Sequence, residues 1–159
     1  YRTIWEAFTE LKADGRARSI GVSNFQPDQL RTIVADTGTV PVINQIEVHP
    51  DFAQTDLRAV HEELGIVTEA WSPLGQGRGL LDDPTLARIA LDHDRSAAQV
   101  VLRWHVQQGL VAIPKSSSPE RMRDNLAVFD FELADADLAE LATLSQGPDA
   151  GVDSNVDGH

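Results

Sequence analysis

The stretch Gly65-Ile66-Val67-Thr68-Glu69-Ala70-Trp71-Ser72-Pro73-Leu74-Gly75-Gln76-Gly77 decides how the rest of the chain is read. Gly65 suits the end of a preceding helix, because glycine adopts φ > 0 without a side-chain clash. Ile66 and Val67, completed by β-branched Thr68, predict a short buried strand. That run breaks at Trp71-Ser72-Pro73, where an aromatic, a hydroxyl and a φ-locked proline follow one another. Gly75, Gly77 and Gly79 then let the backbone come close to whatever the strand end faces. A buried parallel strand ending in an aromatic face and a glycine-rich loop is where an α/β protein tends to hold a ligand.

Working outward, a helix from about Thr55 to Leu64 leads into this strand, and a strand Val42–Val48 closed by His49-Pro50 precedes that helix. Before it, Pro27 sits at a helix N1 position with Asp28 in the first turn. Leu30, Ile33 and Val34 form that helix's buried stripe, and Gly38 ends it. Ser19-Ile20-Gly21-Val22 is a short apolar run ended by Ser23-Asn24-Phe25, and Ile4, Phe8 and Leu11 mark a first helix stopped by Gly15. Downstream, Pro84 to about Asp92 reads as a helix. Ser96-Ala97-Ala98-Gln99 has capping-box form and opens a helix that puts Val100, Val101 and Trp104 on one face, with Gly109 at its end. Leu110–Ile113 is a fourth strand with Pro114-Lys115-Ser116 as its exit. Ser118 is an N-cap with Pro119 at N1, and Leu138, Leu141 and Leu144 mark a last helix. From Gln146 onward the composition is that of a loop or tail.

Strand alternating with helix is the signature of a parallel α/β sheet with right-handed crossovers. A full (β/α)8 TIM barrel needs roughly 250 residues, so four strands in this length fit half of one. A small doubly wound sheet is the rival, but its first strand normally carries phosphate-binding glycines. None follows Ser23-Asn24-Phe25. Tyr1 is no initiator residue and a helix is already running by Ile4, so the chain reads as a fragment.

The 159 residues are 42% hydrophobic and 24% charged, enough for one domain with a real core. A net charge of −12 argues against nucleic acid and anionic membrane surfaces as partners. It also means that an anionic cofactor needs a local cluster of basic residues. There is no cysteine, hence no disulfide or thiolate chemistry. No apolar run approaches the ~18 residues of a membrane span and no signal peptide opens the chain, which leaves the cytoplasm as the expected compartment. His61-Glu62 lacks the second histidine of a zinc helix, and His93 and His105 fall on helices without ligand partners, so no metal site is expected. His49, followed by Pro50, reads as the end of a strand.

All four strand exits carry polar groups, and their motifs match a family. Gly21-Val22-Ser23-Asn24-Phe25, Asn44-Gln45-Ile46-Glu47-Val48-His49-Pro50, Trp71-Ser72-Pro73-Leu74-Gly75 and Ile113-Pro114-Lys115-Ser116 resemble the aldo-keto reductases in order and spacing. The likeness is nearest to the bacterial 2,5-diketo-gluconate reductase type. The resemblance implies a (β/α)8 barrel of which this chain covers roughly the fourth helix through strand 8 and the C-terminal helices. Residues 1–145 are then the C-terminal half and 146–159 a C-terminal loop, with Gly151–Asn155 where the family's substrate-covering loop lies. It also implies NADPH as cofactor and a small carbonyl compound as substrate.

Residue by residue, the resemblance implies that Ser23, Asn24 and Gln45 bind the nicotinamide carboxamide and that Trp71 stacks on the ring. Ser72, Leu74 and Gln76 resemble the loop over the pyrophosphate. Lys115, Ser116 and Arg121 resemble the pocket for the 2′-phosphate, with Asn125 at the adenine. Relatives often carry further arginines after the Lys-Ser pair, where this chain has Ser117-Ser118-Pro119. NADH therefore stays open as an alternative cofactor.

The family's catalytic tetrad of Asp, Tyr, Lys and His matches no residue here, so no catalytic residue is assigned. Two readings follow. In one, the chain belongs to an NADP-dependent oxidoreductase whose barrel is completed by an N-terminal half, and is inactive when isolated. In the other, it is a non-catalytic nucleotide-binding or interaction module derived from such a barrel.

Overall fold

The computed structural model describes residues 1–147 and Gly151. Of the expected 146–159 tail, residues 148–150 and 152–159, including nearly all of Gly151–Asn155, thus lie outside the described residues. Four short strands are neighbours in the order β1-β2-β3-β4, and helices join each to the next. The chain divides into two compact units, the first Tyr1–Ile46 with Thr55–Glu69, the second Glu47–Gln54 with Ala70–His159.

In the first unit, α1 (Arg2–Ala13) buries Trp5, whose indole N–H donates to Thr37 Oγ1 at 3.1 Å. Strand β1 (Val22–Ser23) pairs in parallel with β2 (Ile43–Glu47), Val22 opposite Asn44 and Ser23 opposite Gln45. Between them α2 (Pro27–Thr37) opens with Pro27 in its first turn and a Gln26/Gln29 capping box. It ends at Gly38, whose φ of 66° only glycine adopts cheaply. Trp5, Ile20 and Ile33 form a cluster to which Val22, Phe25 and Val34 add. Helix α3 (Thr55–Leu64) lands on its expected boundaries and leads into β3 (Val67–Trp71).

Strand β3 ends at Trp71, where the break is expected, but corrects one expectation. It is not buried on both faces: Thr68 and Ala70 are covered, while Val67 is 45% exposed. The cause is the pleat, which sends alternate residues to opposite sides, and the helical layer covers one of them. The same holds for the fourth strand, which is shorter than Leu110–Ile113 and leaves Val111 and Ile113 exposed.

In the second unit, Ile113 N–H donates to Ala70 O at 3.2 Å, setting β4 (Val111–Ala112) beside the end of β3. Helix α4 (Pro84–Asp92) is capped by Asp83, which accepts from Thr85 N–H at 2.8 Å. Helix α5 (Ala97–Gln107) carries the expected Ser96/Gln99 capping box and buries Val100, Val101 and Trp104. Helix α6 (Pro119–Leu126) starts from Ser118 as foreseen, and α7 (Asp135–Ala142) stops before Leu144. The segment between α6 and α7 is held to α5 by side chains that stand in for a strand. Gln107 donates to Leu133 O at 3.0 Å and accepts from Leu133 N–H at 2.8 Å, and Arg103 donates to Val128 O at 3.2 Å. Among the described residues no helix is long and apolar enough to cross a membrane.

Candidate functional site

Within the first unit, the pairing of β1 with β2 gathers Ser23, Asn24 and Gln45. The Ser23 hydroxyl donates to Gln45 O at 3.0 Å, and the Asn24 backbone N–H donates to the same oxygen at 2.9 Å. Asn24 turns the chain at φ 60°, a left-handed conformation that asparagine tolerates better than most residues. On the neighbouring strand, the Gln45 side-chain amide donates to Glu69.

Asn44, one residue away and fully buried, holds this exit from behind. Its Oδ1 accepts from Phe25 N–H at 3.3 Å and its Nδ2 donates to Phe25 O at 2.9 Å. The second hydrogen of that Nδ2 goes to His61 Nε2 at 2.9 Å. The two bonds to Phe25 fix which end of the amide is nitrogen, so His61 Nε2 must be the unprotonated acceptor. Its Nδ1–H then donates to Thr68 Oγ1 at 2.7 Å. His61 is 1% exposed, and burial, then the neighbouring Arg58 charge, lowers its pKa from 6.5 to about 4.

The second unit holds the remaining expected residues at two strand exits and on α6. Trp71, half-buried, ends β3, and Ser72 and Gln76 follow at φ 49° and 53°. Gln76 Nε2 donates to Ser72 Oγ at 2.5 Å, and Gly75 N–H donates to Ser72 O at 2.9 Å, so Ser72, Leu74 and Gln76 sit in one tight turn. Gly75 has φ 71°, and a Cβ there would stand 3.0 Å from Leu80 Cβ. Gly77 and Gly79 also take positive φ, but a Cβ on either meets nothing within 4 Å. Their positive φ is by itself a reason for glycine at both positions.

The same loop is anchored by a cluster that sequence reasoning passed over. Arg78 pairs with Glu47, which is 1% exposed, and the same Glu47 oxygen lies 3.2 Å from His49 Nε2. His49 Nδ1 meets Asp51, and Gln54 Nε2 donates to Glu47 O at 2.6 Å. Glu47 and His49, two apart on an extended chain, share a face, which was the available signal. His49 thus does more than end a strand, and its ring is buried between two carboxylates.

At the β4 exit, Ser116 Oγ accepts from Ser118 N–H at 3.1 Å, and Ser118 Oγ accepts from Arg121 N–H at 3.3 Å. These bonds tie the Lys115–Ser118 turn to the first turn of α6. Lys115 and Arg121 are exposed, and Asn125 is half-buried one helical turn further on. Among the described residues no ion pair includes Lys115, Arg121 or Arg123. No group of three or more histidines and acids among them could hold a metal ion.

Comparison with known proteins bears on this arrangement. The profile of the Aldo/keto reductase family matches residues 1–146. An "Aldo-keto reductase" of Mycobacterium sp. (strain KMS) is 52% identical over 149 residues, covering 94% of this chain and 54% of that protein. "Methylglyoxal reductase DkgA" of Escherichia coli (strain K12) is 44% identical over 154 residues, covering 96% of this chain and 56% of its own. A crystal structure of a Gox0644 mutant in complex with NADPH superposes with a TM-score of 0.93 at 49% identity, over 98% of this chain and 58% of that one. The chain therefore spans about half the length of the curated relatives it matches.

Proposed function

The chain belongs to the aldo/keto reductase family, and from that membership we propose that the protein reduces small aldehydes and ketones to alcohols with NADPH. In this reading β1 to β4 are the last four strands of a (β/α)8 barrel, α1 is its fourth helix, and residues 1–145 are its C-terminal half. The proton-transferring tetrad is then supplied by the N-terminal half of the same barrel. The reduced nicotinamide, when bound, supplies the hydride.

The residues of this chain act by binding and orienting. Ser23, Asn24 and Gln45 offer hydroxyl and amide groups suited to a carboxamide. Trp71 offers a flat face to the ring. Ser72, Leu74 and Gln76 form the turn along the pyrophosphate. Lys115, Ser116 and Arg121 take the 2′-phosphate, and Asn125 the adenine.

The observation that carries the reading is the absence of ion pairs at the β4 exit. With 25 acids against 13 bases, a cation in this chain has carboxylates to choose from, yet Lys115 and Arg121 pair with none among the described residues. Lys12, Arg16 and Arg18 are unpaired too, but they precede β1, at the opposite end of the strand from its exit. Unpaired cations beside a helix opening suit a phosphate. Each charge-assisted bond is worth roughly 1.5–3 kcal/mol, so two distinguish NADPH from NADH by about a hundredfold or more.

The test is a titration of the full-length protein with each dinucleotide, followed by quenching of tryptophan fluorescence. A preference for NADPH of that order supports the reading, and equal affinities or no binding overturn it. Tight binding without turnover of any carbonyl compound would favour a nucleotide-binding module instead.

A further inference from the structure

We propose that Glu69 is a positioning residue that decides which end of the Gln45 amide faces the cofactor, and so makes the site selective for a primary carboxamide. The inference rests on the reading of Gln45 as a nicotinamide contact.

Gln45 on β2 and Glu69 on β3 both belong to the first unit, both are half-buried, and the Gln45 Nε2 donates to a Glu69 carboxylate oxygen. A side-chain amide is nearly symmetric in shape, and rotation of its last bond exchanges an acceptor for two donors. A carboxylate has acceptors only. Turning the Gln45 carbonyl toward Glu69 would set oxygen against oxygen, so the nitrogen is held toward Glu69. The Gln45 Oε1 is thereby left as the end offered to a ligand.

Ser23 points the same way. Its hydroxyl hydrogen is already used on the Gln45 backbone carbonyl at 3.0 Å, so its oxygen presents lone pairs. Two side chains of the group thus offer acceptors, and a ligand that brings N–H hydrogens satisfies them. A primary carboxamide does so, and a methyl ketone of the same shape does not. Glu69 has no cationic partner among the described residues, so Gln45 is the group it orders.

The experiment compares, in the full-length protein, the dissociation constants of NADP and of its 3-acetylpyridine analogue, which replaces the amide nitrogen by a methyl group. The native protein is expected to prefer the carboxamide by about fivefold to tenfold, the worth of one hydrogen bond. Glu69→Gln removes the enforced orientation, because two facing amides pair equally well either way round, and the preference falls toward one. Glu69→Asp keeps the carboxylate and retains the preference. Discrimination between NADP and NAD, read elsewhere, stays at its native value in both variants. A Glu69→Gln protein with the native carboxamide preference overturns the proposal, as does a Glu69→Asp protein that loses it. A native protein that binds neither dinucleotide overturns the cofactor reading itself, and the assignment of Glu69 with it.

Discussion

Acidification tests the network behind the β1 exit. His61 Nε2 must stay unprotonated to accept from Asn44, and its pKa is lowered from 6.5 to about 4. Between those values the unfolded chain binds a proton at this histidine that the folded chain refuses. Stability therefore has its full His61 contribution above about pH 6.5 and loses it as the pH falls through about 4. The difference corresponds to about 3 kcal/mol at most. The assay is urea unfolding of the full-length protein at steps from about pH 7 to 4, run beside His61→Gln. Glutamine keeps an acceptor near Asn44 but does not titrate. The native protein is expected to lose about 2–3 kcal/mol more than the variant over this range. Parallel curves would refute the reasoning, because the acids common to both proteins would then explain the whole pH dependence. The effect reaches function through Asn44: a protonated His61 repels the donor that holds Phe25, and Phe25 follows Asn24.

Lys115→Ala and Arg121→Ala should each weaken NADPH binding by about tenfold or more while leaving NADH binding unchanged. An equal loss for both dinucleotides, measured by fluorescence titration, would remove these residues from the 2′-phosphate. Trp71→Ala should weaken cofactor affinity by about threefold to tenfold, the worth of one aromatic stack, and unchanged binding would place Trp71 outside the site. Arg78→Met leaves a Glu47 that is 1% exposed without its cation, and should cost about 1–2 kcal/mol in urea unfolding. The Arg78 side chain is 41% exposed, which keeps the cost toward the lower end, and no loss of stability would show that the pair does not anchor the glycine loop.

Helix boundaries were legible because their signals are local. Pro84 and the run Ser96 through Gln99 are such signals, and α4 and α5 begin where those residues say. Strand burial was less legible, since a run such as Ile66-Val67-Thr68 does not say which of its faces a helix will cover. Lys115 could be singled out by residue type, as one of two lysines in an acidic chain. Glu69 could not. It stands 24 positions from Gln45, and only the register of β3 against β2 brings the carboxylate to the amide.

Strand β2 shows why a site of this kind is hard to read one residue at a time. Successive residues of a strand face opposite sides. Asn44 therefore turns into the layer with His61 and spends its amide on the backbone of Phe25. Gln45, with the same functional group, turns the other way and spends its nitrogen on Glu69. The two amides have opposite uses: the first is satisfied within the fold and makes the exit rigid, while the second keeps an acceptor in reserve. Exchanging Gln45 for Asn would draw the amide back toward the strand by one methylene and withdraw its acceptor from where Gln45 holds it. Exchanging Asn44 for Gln would add a methylene to a fully buried site and displace the Phe25 bridge. The pair Asn44-Gln45 is thus ordered by chemistry, one amide spent on the scaffold and one, in the proposed reading, kept for the ligand.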